Sequence, residues 1–139
     1  MRLHLMKFGT LALMFLALVS LGWAEDVQLS NTGIAPAATG TIHIDNDRNG
    51  NTEIKLTVEH IAAPQALSPA RQYYVVWIEP RGQQPELAGR LRVNQDDLAA
   101  SIETLTPYDN FQVFITAENS EIPTMPSSTV LLRGTVQRR

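Results

Sequence analysis

Three observations predict an all-β fold, a seven-stranded antiparallel β-sandwich behind an N-terminal signal segment. Short runs in which apolar and polar residues alternate with period 2 follow one another from about residue 41 onward. Turn-forming Gly, Pro, Asn and Asp interrupt those runs at short, regular intervals. Helical periodicity, by contrast, is hard to find after Ala24.

The first strand is Thr41-Ile42-His43-Ile44, with Ile42 and Ile44 on one face. A polar turn, Asp45–Asn51, leads into Thr52–Ile61, where Ile54, Leu56 and Val58 alternate with Glu53, Lys55, Thr57 and Glu59. These two strands read as an antiparallel hairpin with one wet face. Pro64 and Pro69 mark Ala62–Ala70 as a crossing loop. Tyr73–Ile78 is apolar on both faces, which places it mid-sheet with Trp77 in the core. Pro80-Arg81-Gly82 ends it. Leu87–Val93 and Leu98–Glu103 alternate as half-exposed strands, Phe111–Ala117 is rich in β-formers, and Ser128–Val136 is the last strand after a loop holding Pro123 and Pro126. Seven strands with Trp77 on the third suggest an immunoglobulin-like sandwich. Tyr108, just before the sixth strand, stands where such a fold can place a tyrosine corner. Composition favours an ordinary turn tyrosine beside Pro107.

Ahead of these strands, Arg2 and Lys7 precede an uncharged run from Phe8 to Ala24. Gly22-Trp23-Ala24 puts small residues at the −3 and −1 positions of a cleavage site, and Glu25-Asp26 follows at once. The run falls short of the ~20 residues a spanning helix needs. The expected organisation is a signal peptide over 1–24, a linker or loosely attached segment over 25–39, and a sandwich domain over 40–139, in the periplasm or outside the cell. Retention of the segment as an uncleaved anchor is the alternative, and only then is a membrane a partner.

Removing Arg2 and Lys7 takes the net charge from −3 to −5 and leaves Lys55 as the sole lysine. An acidic chain without a basic stripe is a poor partner for nucleic acid or anionic lipid. The absence of cysteine excludes disulfides, thiol catalysis, zinc thiolate sites and c-type haem attachment.

The most tempting site is Asp45–Asn51, which copies the first half of a calcium loop, with oxygen side chains at positions 1, 3 and 5 and Gly50 at 6. Position 12 is Leu56, where a bidentate Glu is needed, so the reading is a hairpin turn whose Asn49-Gly50 supplies positive φ angles. A weak calcium site is the alternative. His43 and His60, set across the hairpin from each other, lack a third ligand at useful spacing. No serine sits in a nucleophile elbow. Asp96-Asp97 and Glu118/Glu121 read as solvated carboxylates, and no phosphate loop occurs. No catalytic, cofactor-binding or metal residue is therefore assigned, and no cofactor is expected.

The second half carries a resemblance. Tyr74-Val75-Val76-Trp77-Ile78-Glu79-Pro80-Arg81-Gly82, then Pro85, then Leu87-Ala88-Gly89-Arg90-Leu91, resembles the extracytoplasmic C-terminal domain of anti-sigma-K factors. Val113–Glu118 and Pro123–Ser127 are similar to that family's closing strand and turn, and together these segments cover about half the chain. Leu105-Thr106-Pro107 with Phe111–Val113, Ala117–Asn119 and Pro126-Ser127 also resembles a fibronectin type III domain. Both resemblances imply a β-sandwich, and neither brings a catalytic residue. With only a signal-like segment read ahead of the sandwich, the expectation is the outer domain standing alone, without a sigma-binding domain. The expectation is a non-enzymatic exported binding or sensor module whose partner is another envelope or extracellular protein. A structural or envelope-assembly role through an uncleaved anchor is the second possibility.

Overall fold

The computed structural model describes residues 24–138, so all of the signal segment read at 1–24 except Ala24 lies outside the described residues. Among the described residues, nine strands form two antiparallel sheets. They are β1 (Glu25–Gln28), β2 (Ser30–Asn31), β3 (Thr39–Asn46), β4 (Thr52–Glu59), β5 (Tyr73–Pro80), β6 (Glu86–Leu91), β7 (Ala100–Thr106), β8 (Asn110–Glu118) and β9 (Val130–Gln137). One sheet runs β1-β3-β4-β7 and the other β2-β9-β8-β5-β6. No helix among the described residues is long and apolar enough to cross a membrane.

The period-2 pattern becomes the core directly. Ile42 and Ile44 of β3, Ile54, Leu56 and Val58 of β4, and Tyr74, Val76 and Ile78 of β5 all point inward. Phe111, Val113, Ile115 and Ala117 of β8, with Leu132 and Val136 of β9, lie beside the β5 residues in one sheet and meet those of β3 and β4 from across the core. Burying each aliphatic side chain of this set contributes about 1.5–3 kcal/mol, which is how a chain without disulfides holds together. The hairpin of β3 and β4 is present over eight pairs, from Thr39 opposite Glu59 to Asn46 opposite Thr52. Its outer positions, His43, Glu53, Lys55 and Glu59, are exposed.

The strand count corrects the expected seven to nine. The two additions are β1 and β2, four and two residues long, in a segment whose polar, small side chains hide its role. Backbone pairing reveals it: β1 lies antiparallel to β3 in one sheet and β2 antiparallel to β9 in the other. The residue between them, Leu29, hands the chain across. Its N–H donates to the Gly40 carbonyl at 2.8 Å, and its side chain fills the space that a Cβ on Gly40 or Gly134 would take. The opposite open side is closed in the same manner, with Ile102 of β7 packed over Gly89 of β6.

Boundaries also shift. Leu98, read as the first residue of a strand, sits in a turn with φ of +53°, and the strand begins at Ala100. Its N–H bonds to the Asn94 carbonyl while Asn94 Oδ1 and Asp97 Oδ1 take the N–H groups of Asp96 and Ala99. Side-chain turns of this kind compete with strand pairing.

Candidate functional site

Trp77 is buried, but not between the sheets. Tyr74, Val76 and Ile78 take the inward positions of β5, so Val75 and Trp77 point to the outer face of the five-stranded sheet. There Trp77 and Phe114 form a second apolar cluster with Val75, their rings 6.4 Å apart and nearly parallel. The row continues across the strands, because Phe114 is opposite Arg133 and Trp77 is opposite Leu87. The Arg133 guanidinium lies 4.8 Å from the Phe114 ring centroid and donates to Gln112 Oε1 at 2.8 Å. A cation over an aromatic face and a bonded amide hold this arginine flat on the sheet.

A buried polar chain ties the row to the β8–β9 connection. The Trp77 indole donates to Thr116 Oγ1 at 2.8 Å, the Thr116 hydroxyl donates to Glu118 Oε2, and the same oxygen takes the Ser127 N–H at 2.8 Å. Glu121 of this connection pairs with Arg90 of β6 at 2.6 Å, and Arg90 lies over the Tyr73 ring. The carboxylates read from sequence as a solvated pair therefore separate. Glu121 is exposed and Glu118 is buried, with one hydrogen bond from Thr116 of its own strand and one from Ser127 of the loop it anchors.

At the other end of the same face, the sheet turns polar. Glu79 is opposite Gln112, Gln112 is opposite Thr135, and Asn110 is opposite Gln137. These side chains and the Arg81–Gln83 turn after β5 line a groove of about 470 Å³. A second depression of about 340 Å³ shares Arg81, Gln83 and Asn110 with it and adds Tyr108 and Asp109. The Tyr108 hydroxyl donates to Glu86 Oε1 at 3.0 Å, which pushes its pKa up from the ordinary tyrosine value. A tyrosine corner needs a backbone acceptor upstream, so Tyr108 is a turn tyrosine, as composition favours. The hydroxyl that does reach back to the backbone is that of Tyr74, which donates to Ala62 O at 2.8 Å from within the core.

The turn at 45–51 spends its best ligand on itself. Asp47 Oδ1 accepts the N–H groups of Asn49 and Asn51, and Oδ2 accepts from Asn51 Nδ2. The Asn51 side chain above all holds the Asp47 carboxyl below the usual range. Gly50 supplies a φ of +81°, while Asn49 stays out of the left-handed region, so one positive φ serves where two were expected. The histidines do not face each other. His43 is opposite Lys55 and its Nδ1 meets Asp26 Oδ1 of β1 at 2.7 Å, whereas His60 follows β4 with φ of +57°. Among the described residues, no three His, Asp or Glu side chains come together to hold a metal, and no hydroxyl hydrogen-bonds to a histidine.

No family model, curated protein or solved structure matches the chain.

Proposed function

We propose that this protein is a non-catalytic exported binding module, built on an immunoglobulin or fibronectin type III-like sandwich, that recognises its partner with the outer face of the five-stranded sheet. The order of the strands supports the fold reading. With β1 and β2 set aside, three strands, β3-β4-β7, face four, β9-β8-β5-β6, and these are the seven read from the sequence. The anti-sigma-K likeness agrees with a domain whose shared positions are structural. Gly89 admits Ile102, Trp77 anchors the outer cluster, and Pro80 closes β5. The partner expected on that likeness is another envelope or extracellular protein, and the export signal over 1–24 sets the compartment.

One observation carries the binding reading. The outer face of the five-stranded sheet holds a buried aromatic row, Trp77 and Phe114, flanked by Arg90 and Arg133 and opening onto a groove of about 470 Å³, while the outer face of the other sheet is mainly Glu, Lys and Thr, with the exposed Leu105 beside a smaller depression of about 320 Å³. Arginine and concavity mark binding faces of soluble domains, and the buried aromatics beneath hold this one rigid. Capture from an envelope extract tests it. Wild-type protein and the Glu53→Lys variant of the opposite sheet should retain the same component, and Arg133→Glu should lose it. Equal capture by Arg133→Glu, or loss in Glu53→Lys, overturns the assignment of the face. N-terminal sequencing of the exported protein tests the compartment, with Glu25 expected as the first residue.

A further inference from the structure

We infer that the groove beside the Arg81–Gln83 turn is a binding site for a neutral oligosaccharide. The inference rests on the binding-face reading above and gives that face a ligand class.

The groove offers polar groups together with a larger share of apolar surface, the mixture that a sugar ring with its hydroxyl edges and C–H faces presents in turn. Phe111 and Val136 are 3% and 1% exposed and face the space between the sheets, so that apolar surface belongs to the other lining residues. What the groove presents are the carboxamides of Gln83, Asn110, Gln112 and Gln137 and the hydroxyl of Thr135. A carboxamide or hydroxyl both donates and accepts, and a sugar hydroxyl demands both at once. Strand pairing sets Glu79, Gln112 and Thr135 in a rank across three strands, spaced by about 4.8 Å, so one ring edge meets several such groups together.

Two details sharpen the class. Gln112 is oriented: Arg133 takes its Oε1, which leaves its Nε2 to donate into the groove. The charges are one of each sign, Glu79 and Arg81, and neither makes an ion pair with another described residue. A site for phosphate or nucleotide would gather cations, and a site for an apolar ligand would expose Phe111. A carboxylate and a guanidinium amid carboxamides instead hydrogen-bond neutral hydroxyls from both directions.

Length comes from the neighbouring depression. It adjoins the groove around the Arg81–Gln83 turn and presents Tyr108, half-buried with its ring packed against the core on one side. The part of the ring that lines the depression offers a surface for the C–H face of a sugar ring, and the hydroxyl is fixed by Glu86 and Gln83. A single ring fills one depression, whereas a short chain spans both.

The test is amide-resolved NMR on the purified protein. Cellotetraose, chitotetraose, mannotetraose and maltotetraose are titrated in turn, with tetra-alanine and pyrophosphate as the competing chemistries. The expected result is that at least one tetrasaccharide moves the amides of Arg81, Gln112 and Thr135. Its disaccharide should bind about tenfold more weakly, the worth of roughly one or two lost hydrogen bonds. Gln112→Ala and Thr135→Ala, both at the surface and checked for folding by their own spectra, should each lose about tenfold in affinity. The inference is overturned if no tetrasaccharide moves those amides, if tetra-alanine or pyrophosphate moves them instead, or if Gln112→Ala binds as the wild type does. Capture of an envelope protein that still depends on Arg133, with no saccharide response, sinks the ligand class and leaves the binding face standing. Loss of both sinks both.

Discussion

The Trp77 indole N–H donates to Thr116 Oγ1 at 2.8 Å on the face of the sheet that points away from the opposite sheet. The bond is the first link in the chain that runs through Glu118 to the Ser127 N–H. A tryptophan that is 1% exposed on an outer sheet face is a fixture of that face, anchored at its polar end and packed on Phe114. Trp77→Ala should cost about 3–5 kcal/mol in urea unfolding. Thr116→Val, which leaves the indole N–H unsatisfied, should cost about 1–3 kcal/mol. The difference emission spectrum between wild type and Trp77→Phe should be blue-shifted and poorly quenched by iodide. A red-shifted, easily quenched difference would place the ring in water.

Leu29 should act as the keystone of the N-terminal edge. Its side chain is shared between Gly40 and Gly134, so a Cβ on Gly134 competes for the same volume. Leu29→Ala should lower stability by about 2 kcal/mol, at the low end for aliphatic truncation because the residue is only half-buried. Gly134→Ala alone should cost about 1–3 kcal/mol as an overpacked contact. In the double variant the new methyl occupies the emptied space, so the two costs should fall short of additive. Full additivity would mean that the residues do not share a site.

Alkaline stability should turn on Tyr74. Burial pushes its pKa up to about 12, while an unfolded tyrosine ionises near 10. The folded state therefore favours the protonated form. Its contribution is complete below about pH 10 and is lost as the pH rises toward 12, reaching about 2 kcal/mol there. Unfolding free energies measured between pH 9 and 12 should decline in the wild type. The decline should be smaller in Tyr74→Phe, which has no proton to lose but gives up the bond to Ala62 O.

Calcium should leave the melting temperature unchanged. The Asp47 carboxylate is already occupied by the N–H groups of its own turn. A rise of several degrees in excess calcium over chelator would show a ligand that binds the folded state. The same turn sets an acid-side expectation. Because Asp47 is held below the usual carboxylate range, its contribution is present above the ordinary aspartate pKa and fades as the pH falls through the lowered value. In an NMR titration Asp47 should keep its charge to lower pH than an unperturbed aspartate, and Asn51→Ala should raise its midpoint.

The elements legible in the sequence were those whose signal is local. Period-2 alternation in β3 and β4 needs only neighbouring residues to be read, and it named the inward faces that form the core. The turn at 45–51 was legible for the same reason, since Asn and Gly there act on their own backbone. What was not legible depends on who sits opposite. An apolar run on both faces of β5 announces two buried faces without saying which residue looks inward. The register of β5 against β8 put Tyr74, Val76 and Ile78 toward the core and Trp77 outside it. The groove was equally silent, because Glu79, Gln112 and Thr135 are scattered in sequence and each reads as an ordinary polar strand residue. Glu118 looked like its exposed neighbour Glu121 until Thr116 and the loop enclosed it.

The chain by itself determined an all-β architecture, the seven main strands and the wet and dry faces of β3 and β4, because hydrophobic periodicity and turn chemistry act over a few residues. Only the tertiary structure decided that 25–31 closes the sandwich through Leu29, that the second apolar cluster lies on the outer face, and that polar residues from three strands line one groove. Those outcomes follow from pairing and packing between segments up to about a hundred residues apart, as Asn31 is from Leu132. No local pattern records which distant backbone will supply the partner hydrogen bond or the space.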